Sequence, residues 1–208
     1  MIRSRLLLSR GLFGLAASAV LFAIVAPGCD QTGIGDPCRP EREYDPSFTG
    51  FDVDEVNVES KSYQCQTRLC LVNHFQGRVT CPYGQKIDGT PPDGGDKACV
   101  LPGTVDGKVT GDTNDDKVGA TVAPNFQDRN ADKAVYCSCR CANADGATDD
   151  GANYCSCPDG FSCEQLVGSI GAVSSEQLSG GYCIKSGTKF DPVSRPNVPC
   201  NPTAKNCG

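Results

Sequence analysis

Tryptophan is absent from the 208 residues, the single methionine is residue 1, and His74 is the only histidine. One imidazole excludes a multi-histidine metal site and any catalysis by a pair of histidines. Large apolar side chains are scarce as well. Leu, Ile, Val and Phe supply 30 of the 180 residues after position 28, about 17%, below the roughly 20% at which charged chains tend towards disorder. A chain so composed cannot offset its conformational entropy by apolar burial alone.

Positive charge is also in short supply. Residues 1–28 contain Arg3, Arg5 and Arg10 and no acid, so 16 of the 19 basic and all 25 acidic side chains lie beyond them, a net charge of −9 there. Nucleic acid is excluded as a partner, since its affinity rests on cationic neutralisation of phosphate. Adsorption of the body to anionic lipid is excluded on the same ground.

Cysteine, glycine and proline are abundant, at 15, 24 and 14 residues. The opening MIRSRLLLSR is basic, and Gly11 to Val25 is apolar and uncharged. A basic start, a short apolar run and a small-residue stop are the layout of an export signal. Fifteen helical residues reach only about 22 Å, short of a roughly 30 Å hydrocarbon core.

The stop, Ala26-Pro27-Gly28-Cys29, resembles the lipobox read by the lipoprotein signal peptidase. That resemblance implies cleavage before Cys29, acylation of its sulfur, and membrane attachment through the N-terminal lipid. Cysteine parity selects the same residue. Fifteen is odd, and committing Cys29 to lipid leaves fourteen: Cys38, Cys65, Cys70, Cys81, Cys99, Cys137, Cys139, Cys141, Cys155, Cys157, Cys163, Cys183, Cys200 and Cys207. In an oxidising compartment these suffice for seven bridges, each adding roughly 2–4 kcal/mol by restricting the unfolded chain.

The expected organisation is a signal peptide at 1–28, a tether at 29–37 and an N-terminal cysteine-rich unit at 38–100. An acidic Gly/Asp/Asn-rich linker or loop follows at 101–133, then a C-terminal cysteine-rich unit at 134–183 and a Pro-rich tail at 184–208. The expected fold is small and disulfide-rich, mostly irregular, with short antiparallel β-strands or hairpins and one or two short helices. Phe51 to Val58 and Leu69 to Phe75 read as strands. Cys65, Cys70 and Cys81 suit a stapled hairpin, and residues 88–96 a turn-rich loop. VYCSCRC, if extended, puts Cys137, Cys139 and Cys141 on one face, each pairing with a different segment. Two copies of Ser-x-Glu-Gln-Leu, at 162–166 and 174–178, read as helix starts. Cys200 and Cys207 suit a loop of their own.

Several constellations bear on function. CSCRC with CSC suggests a metal–thiolate cluster, but export favours disulfides. Cys155-x-Cys157-x-x-Gly160-Phe161 is similar to the closing segment of an EGF-like module, with Cys163 following sooner than in that family. Asp112, Asn114 and Asp116 alternate oxygen side chains as calcium loops do, and Asp128, Asn130 and Asp132 repeat the spacing. Lys117 and Lys133 stand where such loops place Gly, and neither copy has Glu at the twelfth place, so the pattern also fits a solvated acidic loop. No nucleophile elbow, phosphate loop or paired base is present, and a non-enzymatic role is expected.

APGCD, QCQTRLC, TCPYGQ, YCSCRCANADG and YCSCPDGFSC together resemble cysteine-rich predicted lipoproteins of bacteria with large secretomes. That resemblance implies a lipid-anchored protein of the cell envelope, on its periplasmic face or the cell surface, and carries no activity. The expected role is structural, or the presentation of loops to a protein or glycan partner. The alternatives are a calcium-binding extracellular module and an inhibitor of a secreted enzyme.

Overall fold

In the computed structural model, residues 33–95, 97–103, 117–167, 178–193 and 198–207 are described. Cys29 and the first oxygen-rich stretch, Asp112, Asn114 and Asp116, lie outside them.

Two small antiparallel sheets carry the fold. In the first, strands β1 (Val56–Glu59), β2 (Cys70–Asn73) and β3 (Val135–Cys137) lie side by side in that order. In the second the order is β4 (Arg140–Ala142), β6 (Gly180–Lys185), β5 (Phe161–Val167). One short helix, α1 (Ala131–Ala134), leads into β3, and single 3-10 turns stand at Glu41–Tyr44 and Gln127–Arg129. The rest is irregular and cross-linked: a small disulfide-rich β protein, as the composition implies.

Strand side chains alternate faces, and the alternation sorts the core. Cys70, Val72, Val135 and Cys137 point to one side of the first sheet, where Phe48, Phe51 and Phe75 pack on them. Leu71 and Tyr136 point to the other side and meet Tyr182 and Ile184 of β6. This second cluster lies between the two sheets. The Tyr136 hydroxyl accepts a bond from the Lys185 backbone N–H at 3.0 Å and fixes their spacing. Burial pushes the Tyr182 phenol up to about 12 and the Tyr136 phenol above its ordinary value.

Seven disulfides link Cys38–Cys70, Cys65–Cys137, Cys81–Cys99, Cys139–Cys155, Cys141–Cys163, Cys157–Cys183 and Cys200–Cys207. Cys137, Cys139 and Cys141 do reach three different segments, and Cys200 closes its own loop with Cys207. The hairpin staple among Cys65, Cys70 and Cys81 does not form; all three bond elsewhere. The β2–β3 pairing and the Cys65–Cys137 bridge join the two cysteine-rich stretches on either side of 101–133, and the described residues belong to one compact unit, Gln31–Gly208.

The first Ser-x-Glu-Gln-Leu copy is not helical. Ser162–Leu166 runs inside β5, paired with β6 from Phe161 opposite Lys185 onwards. The second copy falls largely outside the described residues.

Candidate functional site

Three sets of sulfurs are close-packed, two of them sharing Cys183. Those of Cys38, Cys65 and Cys137 lie within 4.8 Å of one another, as do those of Cys139, Cys155 and Cys183, and of Cys141, Cys157 and Cys183. Cys183 Sγ is 3.7 Å from the sulfurs of both Cys139 and Cys155. Gly181 makes room for this packing, because a Cβ there would stand 3.0 Å from Cys163 Sγ and 3.4 Å from Cys141 Sγ. Every one of these sulfurs is in a disulfide, so the groups pack as cystines rather than as thiolate ligand sets. They add to a sparse aliphatic core.

His74 packs against an aromatic ring and faces a backbone carbonyl. Its ring stacks on Phe190 with centroids 3.9 Å apart, and its Nδ1 lies 3.0 Å from the Val53 carbonyl. The neighbouring guanidinium is structural. Arg129 donates to the carbonyls of Asn73 at 2.5 Å, His74 at 2.7 Å and Thr188 at 2.9 Å. It ties β2 to the segment after β6. Asp128, Asn130 and Asp132, the second oxygen-rich copy, sit in the 3-10 turn at Gln127–Arg129, at the cap of α1 and in α1 itself.

A concave feature lies elsewhere. A cavity of about 590 Å³ is lined from the stretches 80–84, 92–95, 97–100 and 202–205. Its size is in the range that takes a small organic ligand. Two disulfide-closed loops face each other across it: Cys81–Cys99 on one side and Cys200–Cys207 on the other.

Buried polar side chains hold the first loop from beneath. The Glu43 carboxylate is fully buried and accepts the Val79 N–H at 2.5 Å, the Thr80 N–H at 3.1 Å and the Thr80 hydroxyl at 3.0 Å. Burial raises its pKa above the usual carboxylate value, against the pull of those donors and of Arg78. Arg78, also buried, donates to the carbonyls of Glu43, Asp45 and Phe48. Gln85 pins the far side: its amide donates to Val118 and Ala120 carbonyls at 2.6 and 2.9 Å and its oxygen accepts the Cys99 N–H at 2.8 Å.

The second loop is held as firmly. Asn201 Oδ1 accepts the N–H groups of Thr203 and Ala204, Asn206 Oδ1 accepts that of Asn201, and the Cys200 N–H reaches the Asn125 carbonyl at 2.7 Å. The loops touch where Gly94, at φ +84°, lies against Thr203; a side chain at 94 would collide with the Thr203 hydroxyl. Glycine is required there both for the left-handed backbone and for the close approach.

Lys97 and Lys205 line the cavity. Asp93, between the lining residues Pro92 and Gly94, is turned to Lys86 at 2.7 Å. In the sequence, residues 88–96 read only as a turn-rich loop. The cavity's parts lie more than a hundred residues apart, and no motif signals their meeting.

By architecture this is a small disulfide-rich β protein. No protein-family model, curated protein or solved structure matches the chain. Seven disulfides mark a protein that matures in an oxidising environment outside the cytoplasm. Among the described residues, no helix is long and apolar enough to cross a membrane.

Proposed function

We propose that the chain is a non-enzymatic protein of the cell envelope, anchored by lipid at Cys29, whose disulfide-fixed loops make contact with an external protein or glycan. The observation that carries this reading is the pairing of the cysteines. All fourteen beyond position 29 bond to one another, which leaves Cys29, at the lipobox-like APGC, as the odd sulfur. Rigid loops support the contact role, because preordered groups lose little entropy on binding.

Intact-mass measurement of protein extracted from membranes tests the anchor, beside Cys29→Ala. The native chain should begin at residue 29 and carry acyl mass, and the variant should leave the membrane fraction without it. An unmodified Cys29, or equal membrane retention of the variant, would remove the proposal.

A further inference from the structure

We infer that the cluster of Cys139, Cys141, Cys155, Cys157, Cys163 and Cys183 is a thiol–disulfide exchange site, which an external thiol enters at Cys163 and in which the bond then moves inward. Such a site goes beyond the contact role proposed above and depends on neither that role nor the lipid anchor.

Exposure singles out this cluster. Of the fourteen bridged cysteines, eleven are buried. The other three, Cys155, Cys157 and Cys163, all belong to the cluster, and Cys163 alone is exposed. Its bridge to Cys141 joins the outer strands β5 and β4 across Gly181 of β6. Access helps to decide which disulfide a thiol attacks first. The set Cys38, Cys65 and Cys137 is packed comparably, but each of those residues is buried, as is Cys70.

Spacing supplies the inward path, because two disulfides here each have a third sulfur beside them. Cys141 Sγ lies within 4.8 Å of both sulfurs of Cys157–Cys183. Cys183 Sγ lies 3.7 Å from both sulfurs of Cys139–Cys155. Poised reacting atoms stand about 3–3.5 Å apart, so modest side-chain rotation completes the approach. An external thiolate attacks Cys163 Sγ, forms a mixed disulfide there and expels Cys141 as thiolate. Cys141 attacks Cys157, forms Cys141–Cys157 and expels Cys183. Cys183 attacks Cys139 or Cys155 and expels the other, which takes up the proton that the external thiol gave up. Each step makes one S–S bond and breaks one, so no oxidant is consumed. The first step also removes the covalent tie between β4 and β5.

The test exposes the detergent-solubilised full chain to glutathione at mildly alkaline pH, quenches samples with acid over time and maps their bonds by mass without reduction. Cleavage after Arg140 separates Cys139 from Cys141. Glutathione should appear first on Cys163, roughly tenfold faster than on any cysteine of the other four bridges. Cys141–Cys157 should follow, and then Cys183–Cys139 or Cys183–Cys155. A sample quenched at the start should show only the seven original bridges. Cys141→Ser with Cys163→Ser should slow the opening of Cys157–Cys183 and Cys139–Cys155 roughly tenfold. Unreduced mass showing the six remaining bridges establishes that this variant is folded. Glutathione first on any other cysteine overturns the inference, as does loss of the cluster's bridges with no new pairing among its six cysteines. Unslowed opening in the folded variant also overturns it.

Discussion

Cys70 and Cys137 lie directly opposite each other on β2 and β3 and do not bond to each other. Each reaches outward instead, Cys70 to Cys38 and Cys137 to Cys65. Cys163 and Cys183, opposite on β5 and β6, do not bond to each other either: Cys183 reaches Cys157 in the irregular stretch before β5, while Cys163 spans β6 to Cys141 on β4. A bridge between facing strands would only repeat what the hydrogen-bond ladder already does. Bridges cast outward tie irregular segments onto the sheet, where the chain has too few apolar groups to hold them.

The value of each bridge should therefore follow the length of chain it closes. Cys65–Cys137 spans 72 residues and Cys200–Cys207 spans 7. Loop-closure entropy gives about 4 kcal/mol for the first and about 2.5 kcal/mol for the second. Urea unfolding of Cys65→Ser/Cys137→Ser and of Cys200→Ser/Cys207→Ser should show that order. The reverse order would mean that the long bridge restrains little in the unfolded chain.

Crowding of the sulfurs gives a second prediction. Gly181→Ala places a methyl 3.0 Å from Cys163 Sγ, whereas at Gly119 the nearest atom is the Pro46 carbonyl at 3.9 Å. Thermal melting should show Gly181→Ala destabilised by about 1–3 kcal/mol. Gly119→Ala should be neutral or slightly stabilising. Equal melting of the two variants would mean that the sulfur cluster is not tightly packed.

Arg129 holds three backbone carbonyls at once. Arg129→Met leaves them without their donor and should cost about 2–4 kcal/mol. Arg129→Lys should recover only part, because an ammonium cannot reproduce the fork. Full recovery by Lys, read by the same melting experiment, would point to charge rather than geometry.

Glu43 supplies a pH signature. Burial raises its folded-state pKa above the ordinary 4.5, so the folded protein binds this proton more tightly than the unfolded chain. Its favourable contribution is complete below the unfolded value and is lost as pH rises through the raised folded value. The stability of the native protein relative to Glu43→Gln should increase as pH falls from 7 towards 4. A decrease over that range, measured by denaturant unfolding at each pH, would show that the donors and Arg78 outweigh burial.

Much of this was legible in the residues. LCLVNHF reads as a strand and contains β2, and VYCSCRC does spread its cysteines over three partners. The individual pairings were not, because fourteen cysteines allow roughly 135,000 of them and spacing hardly ranks them. Ser162–Leu166 has the residues of a helix start, but Cys163 must meet Cys141 and the segment pairs with β6. Tertiary pairing overrode local preference there. The cavity was invisible because its lining stretches, 80–84, 92–95, 97–100 and 202–205, are far apart in sequence and meet only in the folded chain.

Cross-links, rather than apolar packing, fix this fold. Thiol labelling of gently extracted protein, with mass measured before and after reduction, puts this to the test. None of the fourteen cysteines beyond Cys29 should take label until reduction, all fourteen should then do so, and the reduced chain should lose its cooperative unfolding transition. Most cysteines open to label without reductant, or an undiminished transition once they are reduced, would mean that apolar packing holds the fold instead.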